Sequence, residues 1–593
     1  MANDSIWGRV EVLRAWMRKE ELDAFVVPTG DPHLSEYVPD HWKTREWLTG
    51  FTGSAGTAVV TLKDAALWTD SRYWLQAAEQ LKGTPFKLMK AGEPGTPEVA
   101  DWLCEHLYEF DTVGADGWTL SDTDMRKLDD GLSACGIELE TDLSPWEDIW
   151  EDRPDLPDNE VELQKADLAG ESAEDKIERV RTMLETIGAN ATLVGALDEV
   201  AWLLNLRGTD VPCNPVFMAY CLVTKSKVCL YVDSHKLPKE VLIYLASLKV
   251  KIRPYDFVLR DLKQMKRERL ALPKNLNCKL LDAPKHCHTV YIDSYIRIAK
   301  AYKNEAEILG FRRSMLRDGL ALVKFLRWLK PAVAKGGVTE MGVDRKLTAL
   351  RAENLMFRGP SFDTIAAYGD HGAIVHYEAT PETDRELRPE GFLLLDSGAQ
   401  YQDGTTDITR TIALGTPTEE EKHIYTLVLK GHIALSRVKF PQGTCGTQLD
   451  LAARYAMWQE GYNYGHGTGH GVGSFLNVHE GPHQIRMNHV PAVIDADMTV
   501  TDEPGIYLAG RFGVRTENVL LCVKDKKTEF GQFYAFEPLT LCPIDTTPID
   551  KSMLTDTEVK WLNDYHRTVR ETLTPWLEDQ ADRDWLAEAT KEI

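Results

Sequence analysis

The chain has 593 residues, of which 43% are hydrophobic and 27% are charged. This composition is typical of folded globular proteins and excludes a disordered or fibrous chain, while the length indicates several domains, each with its own core. The net charge of −24 would repel nucleic-acid backbones and anionic membrane surfaces, and the basic cluster at residues 263–269 is typical of a solvated helix face.

The residues after Met1 include charged side chains that interrupt any signal-peptide pattern, and no apolar run approaches the about 18 residues that a membrane span needs. Ten cysteines are spread singly, without a CxxC pair, in a chain too large to require disulfides for stability. We therefore expect a cytoplasmic protein that binds neither nucleic acid nor membranes and whose cysteines are buried free thiols rather than disulfide partners or zinc ligands.

The first part of the chain alternates helix-period and strand-like apolar runs, which indicates an α/β domain. The pattern predicts helices over residues 10–18 and 99–110 and strands over residues 58–62 and 65–68. The stretch 150–163, WEDRPDLPDNEVEL, places prolines among acidic residues, as in a connection that runs over a surface. We place the end of the first domain at residue 153.

A second α/β pattern occupies residues 154–299. It predicts helices over residues 173–187, 199–206 and 259–269 and strands over residues 192–195 and 278–281. This order resembles that of the first domain and indicates a duplicated domain without detectable sequence repetition.

Residues 300–593 have a different pattern. Helical runs over 305–329 and 343–355 give way to strands that are rich in Asp, His, Gly and Glu, and a helix over 558–573 carries an apolar stripe that is typical of packing. We expect the chemistry of the protein in this part of the chain.

Two aspartates flank a predicted hairpin. An apolar strand ends in Asp396, and an Asp-Gly turn at residues 403–404 precedes Asp407. A hairpin would bring the two carboxylates to one end of the ribbon, with a bulge, because this turn does not place them directly opposite each other. A buried aspartate pair requires protons or a cation, whereas turn aspartates often only cap local backbone groups, so the pair alone leaves both interpretations open.

Two histidines, His466 and His470, lie four residues apart in a run in which every second residue is glycine. Glycine costs about 1 kcal/mol per residue in a helix relative to alanine, so the helical histidine pair of zinc peptidases is disfavoured. An extended backbone would place both histidines on one face. The run also resembles a dinucleotide-binding glycine motif, but no helix follows to receive a phosphate.

Two glutamates follow strand-like runs, Glu503 after residues 498–501 and Glu517 after Val514-Arg515. Each alone would be interpreted as a surface residue. Together with Asp396, Asp407 and His470 they form a ligand set whose four negative charges balance two divalent cations, while one metal would leave excess negative charge. Oxygen-rich ligation without thiolates favours two manganese ions, although zinc or cobalt could compete.

The five residues lie within longer motifs, which read DSGAQYQDGTTDITRT from residue 396, HGTGHGVGSFLNVHEGP from 466, TDEPG from 501 and GVRTEN from 513. In combination these motifs resemble aminopeptidase P, a family of pita-bread metallopeptidases. The segments PTGDPHLSEY, FTGSAGTAVVT and WTDSRYWLQAA resemble the non-catalytic domain of the three-domain cytosolic form. The resemblance therefore spans nearly the whole chain.

The resemblance implies an α/β and α+β multidomain protein. Two creatinase-N-like α/β domains, at residues 1–153 and 154–299, would precede a pita-bread catalytic domain with a C-terminal extension at residues 300–593.

The resemblance also assigns the metal ligands. Asp407 and Glu517 would bridge the two ions, His470 and Glu503 would complete one coordination sphere, and Asp396 would complete the other. No ligand of the family pattern is missing, whereas relatives with this fold such as creatinase and certain histone-binding proteins lack the set.

The activity implied is release of the N-terminal residue from peptides with proline at the second position, by attack of a metal-bridging hydroxide on the Xaa-Pro bond. Glu503 would relay the water proton to the leaving nitrogen. Arg515 would orient Asp396 and the substrate. Substrate contact and stabilisation of the tetrahedral oxyanion would fall to three histidines, His376, His466 and His479.

Two alternatives share much of this pattern. A prolidase has the same ligands but requires Xaa-Pro dipeptides, and two amino-terminal domains rather than one favour aminopeptidase P. A non-catalytic peptide-binding or protein-binding protein on the same fold is disfavoured by the intact ligand set. Family members of this architecture are commonly dimers, so we also expect a homodimer.

Overall fold

The computed structural model describes residues 5–593, so the first four residues of the first predicted domain lie outside it. The chain divides into two compact units, unit 1 with Met1–Gln164 and Glu171–Ile296, and unit 2 with Lys165–Gly170 and Arg297–Ile593. Among the described residues, no helix has the length and apolar character needed to cross a membrane.

The first sheet of unit 1 is built from six strands, β1 (Ala24–Pro28), β2 (Thr57–Thr61), β3 (Ala65–Thr69), β4 (Lys87–Lys90), β5 (Thr112–Ala115) and β6 (Glu138–Glu140). Their spatial order is β4-β3-β2-β1-β5-β6. The accompanying helices are α1 (Ile6–Lys19), α2 (Thr44–Thr49), α3 (Trp74–Gln80), α4 (Val99–His106), α5 (Asp122–Ser133) and α6 (Trp146–Ile149). The helices and strands predicted here are confirmed, with ends that differ by a few residues.

The second group of strands comprises β7 (Glu162–Leu163), β8 (Ala191–Val194), β9 (Leu206–Arg207), β10 (Tyr220–Thr224), β11 (Val228–Tyr231), β12 (Val250–Arg253), β13 (Arg269–Pro273) and β14 (His288–Ile292). Six of them form a sheet in the order β12-β11-β10-β8-β13-β14, and β7 pairs with β9. The helices of this part of the sequence are α7 (Ala166–Ala169), which belongs to unit 2, α8 (Ala173–Thr186), α9 (Leu197–Leu204), α10 (Lys239–Ser247), α11 (Phe257–Gln264), α12 (Cys278–Asp282) and α13 (Tyr295–Ala301), whose residues from Arg297 onward belong to unit 2.

The two six-stranded sheets have the same plan. In the first, β1 is antiparallel to β2 and parallel to β5. In the second, β8 is antiparallel to β10 and parallel to β13. The outer strands repeat the correspondence, because β4 is parallel to β3 as β12 is to β11, and β6 is parallel to β5 as β14 is to β13. The predicted duplication is therefore confirmed.

Two predictions in unit 1 are wrong. Residues 278–281 form the helix α12 instead of a strand, because the Asn277 side chain caps it by accepting a hydrogen bond from the Leu280 N–H at 3.0 Å. Cys104 and Cys135 are joined in a disulfide. Cys104 lies in α4 and Cys135 lies two residues after α5, and the Cα atoms of the two cysteines are 6.0 Å apart, a separation that permits the bond, although a chain of this size does not require it.

Unit 2 carries the remaining strands, which are β15 (Phe357–Pro360), β16 (Ile365–Tyr368), β17 (Phe392–Ser397), β18 (Ala399–Tyr401), β19 (Gly404–Thr405), β20 (Ile408–Ala413), β21 (Lys439–Pro441), β22 (Gly469–Gly471), β23 (Glu480–Ile485), β24 (Thr499–Asp502), β25 (Gly505–Leu508), β26 (Phe512–Arg515), β27 (Asn518–Thr528) and β28 (Gly531–Pro538). Its further helices are α14 (Glu305–Lys335), α15 (Glu340–Arg351), α16 (Glu419–Ser436), α17 (Gly446–Gln459), α18 (Asp556–Leu573) and α19 (Gln580–Ala589). The strands form small antiparallel sheets, among them β16-β17-β20 and β21-β28-β27-β24.

Burial explains how this unit holds its strands. Every residue of β17 and β20 is buried, as expected for strands covered on both faces by other elements. The helix α14 begins at a capping box formed by Asn304 and Glu307. The apolar stripe predicted on the C-terminal helix α18 packs into the core of this unit, where Leu562, Val569 and Leu573 are fully buried.

Candidate metal centre

Two of the predicted ligands lie on the hairpin that β17 and β20 form. Asp396 pairs with Thr409, and the same register continues through β18 and β19. The residues between the paired ends of β18 and β19 are Gln402 and Asp403, so the turn begins one residue earlier than predicted and the predicted bulge is absent from this hairpin. Asp407 lies two residues before Thr409, and alternate residues share a face, so both aspartates project from one face midway along the ribbon.

The glycine of the predicted turn serves close packing instead. A Cβ atom on Gly404 would lie 2.6 Å from Ser314 Oγ of α14, which favours glycine at this position. The carboxylate of Asp403 is buried and accepts two hydrogen bonds from Arg317 Nη1 at 2.6 and 2.8 Å. The helix α14 therefore fixes the turn and, through the turn, the register that presents both aspartates.

The strands β22 and β24 position the predicted histidine and one glutamate. His470 lies in β22, and Glu503 directly follows β24, with its N–H donating to the Thr468 carbonyl at 2.8 Å. His470 Nδ1–H donates to the Gly471 carbonyl at 2.9 Å, so the lone pair lies on Nε2. Nε2 is 3.5 Å from an oxygen of Asp407 and 3.6 Å from an oxygen of Glu503. Ligands about 2.1 Å from a shared ion lie about 3.0–3.4 Å apart, so these separations leave room for an ion.

The second glutamate, Glu517, lies between β26 and β27. Its N–H donates to the Thr409 carbonyl at 3.1 Å, and the Thr409 hydroxyl donates to Glu517 Oε2 at 2.8 Å. One ligand atom from each of Asp407, His470 and Glu517 can be chosen so that all three lie within 4.8 Å of one another. The fold thus gathers residues that are up to 110 positions apart in the sequence into one site.

Burial makes the site electrostatically unfavourable without a cation. Burial, strengthened by the neighbouring carboxylates, raises the pKa of Asp407 and the pKa of Glu517 well above their usual values. Burial also raises the pKa of Glu503 to about 7, although Arg515 opposes the shift. In the part of the chain that the structure describes, the buried oxygen Oδ1 of Asp396 has no hydrogen-bond partner. Without a cation, the acidic groups would retain protons and this oxygen would stay without a hydrogen bond. A pair of divalent cations would remove both costs.

A chain of hydrogen bonds extends from Asp396 to His466. Arg515 donates from Nη2 to Asp396 Oδ2 and from Nη1 to the Tyr507 hydroxyl, each at 2.6 Å. The Tyr507 hydroxyl is 2.8 Å from His466 Nε2, and His466 Nδ1 is 2.7 Å from the Gly467 carbonyl. Because the carbonyl can only accept, Nδ1 carries the proton and Nε2 accepts from the tyrosine. Arg515 therefore contacts Asp396 directly, and the orienting role predicted for it stays a prediction.

The glycine run is not one continuous strand. Only Gly469–Gly471 is extended, and His466 precedes it in an irregular segment, so the prediction that both histidines share a strand face is wrong. A Cβ atom on Gly469 would lie 1.9 Å from the Thr501 carbonyl oxygen, so this glycine permits the close approach of β22 to β24. The glycines serve backbone approach between strands rather than a regular pleat.

The other two predicted histidines lie in different parts of unit 2. The ring of His479 stands edge-on to that of His470, with centroids 4.4 Å apart, and therefore lies beside the ligand set. His376 follows a short 3-10 helix, Gly369–Ala373, and is half-buried. That helix packs on β26, because a Cβ atom on Gly372 would lie 3.1 Å from Gly513 N. The roles predicted for both histidines stay predictions.

Two residues beside the ligands, Tyr507 and Thr409, were not identified from the sequence. The hairpin of β25 and β26 pairs Gly505 with Arg515 and Tyr507 with Gly513, so Tyr507 and Arg515 share a face. The two glycines leave space between them. The sequence did contain a signal for this contact, because each of the two large side chains, Tyr507 and Arg515, pairs with a glycine. That signal can be interpreted only when the register of the hairpin is known.

Family comparisons cover most of the chain. Residues 310–524 match the family described as "Metallopeptidase family M24", and residues 532–593 match the "C-terminal region of peptidase_M24". Residues 9–146 and 152–307 each match a family described as "Creatinase/Prolidase N-terminal domain". The two amino-terminal matches agree with the duplicated sheets.

Three similar proteins span large parts of the sequence. "Aminopeptidase P1" of Lotus japonicus is 38% identical over 96% of this chain and 97% of its own length. A crystal structure described as X-prolyl aminopeptidase from Caenorhabditis elegans, "a cytosolic enzyme with a di-nuclear active site", is 35% identical, covers 100% of both chains and has a TM-score of 0.95. An "Xaa-Pro dipeptidase from Bacillus anthracis" is 25% identical, with a TM-score of 0.52, and covers 63% of this chain and 99% of its own.

Proposed function

The chain belongs to metallopeptidase family M24, and we propose that it is a two-metal aminopeptidase that releases the N-terminal residue from peptides with proline at the second position. The observation that carries this proposal is the convergence of buried carboxylates on the His470 Nε2 atom, in a chain that matches X-prolyl aminopeptidases along its whole length. The Xaa-Pro dipeptidase from Bacillus anthracis covers only 63% of this chain.

We assign the ligands as the sequence predicts. Asp407 and Glu517 would be shared by the two ions, because Asp407 lies two residues before Thr409 on the hairpin and the Glu517 carboxylate accepts a hydrogen bond from the Thr409 hydroxyl. His470 and Glu503 would hold one ion, and Asp396 would hold the other. When bound, two such ions supply an activated water at neutral pH and polarise the scissile carbonyl.

The side chains of the protein would perform the remaining steps. Glu503 would accept the water proton and deliver it to the proline nitrogen, a role that its position beside His470 permits. His466, held through Tyr507, together with His479 and His376 would contact the peptide and stabilise the oxyanion. An Xaa-Pro bond has no N–H, so recognition would depend on the shape of the ring and on the carbonyl beyond it.

The ions are proposed to be manganese. The donor set of carboxylate oxygens with one imidazole suits this ion, while zinc and cobalt would compete by general affinity. We also propose the domain bounds 1–153, 154–299 and 300–593, supported by the two repeated sheets and by the family matches. A cytoplasmic location is supported by the nematode enzyme, which is described as cytosolic.

A homodimer is the proposed assembly. Leu451, Tyr455 and Trp458 lie at spacings of four and three residues on α17 and are exposed, which gives this helix an apolar stripe that a second copy would cover. Sedimentation of the wild type and of Tyr455→Arg tests this assembly, because an arginine in the stripe would shift a dimer toward monomer. A wild type that sediments as a monomer would refute it.

The function is tested by hydrolysis of an Xaa-Pro-Yaa tripeptide. Metal-stripped protein should be inactive, Mn²⁺ should restore its activity, and Glu517→Ala should stay inactive with Mn²⁺ present. Activity that survives both stripping and the substitution would exclude the metal mechanism. An Xaa-Pro dipeptide measured in parallel separates an aminopeptidase from a prolidase, since only a prolidase would prefer it.

A further inference from the structure

The main chain at Glu517 is held from behind the metal site by a buried arginine. Arg410 lies on β20 three residues after Asp407, so the two side chains point to opposite faces of the strand. Arg410 Nη1 donates to the Glu517 carbonyl at 2.6 Å and to the Thr409 carbonyl at 3.0 Å. Since the Glu517 N–H also donates to Thr409, residues 409 and 410 hold both main-chain groups of Glu517.

The guanidinium of Arg410 has neutral partners on every side. Besides the two carbonyls at the site, it donates to the carbonyls of Cys542 at 2.8 Å and Pro543 at 3.0 Å, to Asn518 Oδ1 at 2.9 Å and to the Tyr565 hydroxyl at 3.0 Å. It makes no ion pair with any of residues 5–593. Burying a cation without a counter-charge costs free energy. If Arg410 only filled space in the core, an apolar side chain would do so at lower cost.

Tyr565 connects this arginine to the C-terminal helix α18. Its hydroxyl accepts from Arg410 and lies within hydrogen-bond distance of the carbonyls of Thr540 at 2.9 Å and Cys542 at 3.0 Å. It also lies 3.3 Å from Asn518 Oδ1, in the residue that follows Glu517. Tyr565 lies within the helix, residues 558–573, for which the sequence predicts an apolar packing stripe, but its hydroxyl contacts residues at the ends of the strands behind the ligands.

We propose that Tyr565 and Arg410 are positioning residues through which the C-terminal helix fixes Glu517 for metal binding. This inference rests on the proposed function, because it takes Glu517 as a metal ligand. The C-terminal segment then supports the metal site through Arg410, although it supplies no metal ligand. Groups that orient metal ligands from outside typically change metal affinity by about 10–100-fold when removed.

The test compares two conservative substitutions, Tyr565→Phe and Tyr425→Phe. Tyr425 is the matched control, because it is also buried in unit 2. Its hydroxyl donates at 2.8 Å to the carbonyl of Asp545, which closely follows Cys542 and Pro543 in the sequence, and it makes no hydrogen bond to Arg410. The dissociation constant for Mn²⁺ alone is measured by titration calorimetry on metal-stripped protein, well below the melting temperature. We expect about a tenfold weaker affinity for Tyr565→Phe and a change below about twofold for Tyr425→Phe. Excess Mn²⁺ should restore kcat of Tyr565→Phe while KM stays constant.

A second measurement uses the wild type, so that it does not depend on how a variant folds. If α18 and the ligands are coupled, Mn²⁺ binding must stabilise α18, because coupling between two sites is reciprocal. Amide hydrogen exchange in residues 556–573 should therefore slow when Mn²⁺ is added. Equal Mn²⁺ affinities in the two tyrosine variants, or an amide exchange rate in α18 that does not change when Mn²⁺ is added, would overturn the inference. Failure of the proposed function would instead appear as a wild type that binds no Mn²⁺ or cleaves no Xaa-Pro-Yaa peptide.

Discussion

Removal of the metals should make the stability of the protein depend on pH, because the site then holds several carboxylates with too little positive charge. Glu503 carries a defined part of this effect, since burial raises its pKa from 4.5 to about 7. The folded apoprotein therefore binds this proton more tightly than the unfolded chain does. The contribution is fully present below pH 4.5 and is lost as pH rises through about 7.

The magnitude follows from the same pKa difference. One pKa unit corresponds to about 1.4 kcal/mol, so between pH 4.5 and about 7 the apoprotein should lose about 3 kcal/mol of unfolding free energy through Glu503. Asp407 and Glu517 act in the same direction, because burial raises the pKa of each. For a unit of this size, about 3 kcal/mol corresponds to a fall in melting temperature of about 5 °C.

The assay is a series of thermal melts of chelator-treated and Mn²⁺-loaded protein between about pH 5 and pH 8. The apoprotein curve should fall across this range, and the loaded curve should not follow it, because the ions replace the protons. Glu503→Gln provides the matched control, since its apoprotein should lose the part of the slope that Glu503 contributes. Apoprotein and loaded curves that run parallel, or a Glu503→Gln apoprotein with the wild-type slope, would refute the reasoning.

Three further predictions address individual contacts. Tyr507→Phe removes the hydroxyl between Arg515 and His466. Because one buried hydrogen bond to a charged group is lost, kcat for a tripeptide should fall by about 10-fold at unchanged metal content. An unchanged kcat would contradict this role. Thr409→Val removes the donor to Glu517 Oε2 and should weaken Mn²⁺ binding by about 10-fold in calorimetry, whereas an unaltered affinity would show that the hydroxyl is dispensable. Thiol titration of denatured, unreduced protein should give eight thiols if Cys104–Cys135 is formed, and reduction should raise the count to ten; ten before reduction would show free cysteines.

The sequence predicts the elements well where local chemistry and burial agree. The helix α14 follows from its 3.6-residue apolar period and its Asn304 cap, and the structure extends it to Lys335 although it contains Pro331. Residues 278–281 show the opposite case. Their apolar run suits a strand or a helix equally, and the cap supplied by Asn277 decides for α12.

The ligands could be predicted because chemistry restricts their residue types, whereas their supports could not. Asp396 and Glu517 are recognisable as carboxylates within distinctive motifs. Arg410 and Tyr565 resemble ordinary strand and helix residues, and their role depends on which strand ends meet behind the site. The register of the strands determines which strand ends lie together. Register in turn depends on long-range packing, such as that of Gly404 against α14, rather than on the local sequence pattern.

The single register that joins β17 to β20 restricts how the length of this segment can change. Because the side-chain period of a strand is two, adding or removing one residue between positions 398 and 407 would turn Asp407 to the opposite face and separate it from Asp396. The turn at Asp403 resembles a surface loop in sequence, yet it is buried and clamped by Arg317. Insertions and deletions should therefore be tolerated in the connection between the amino-terminal domains and excluded from this hairpin.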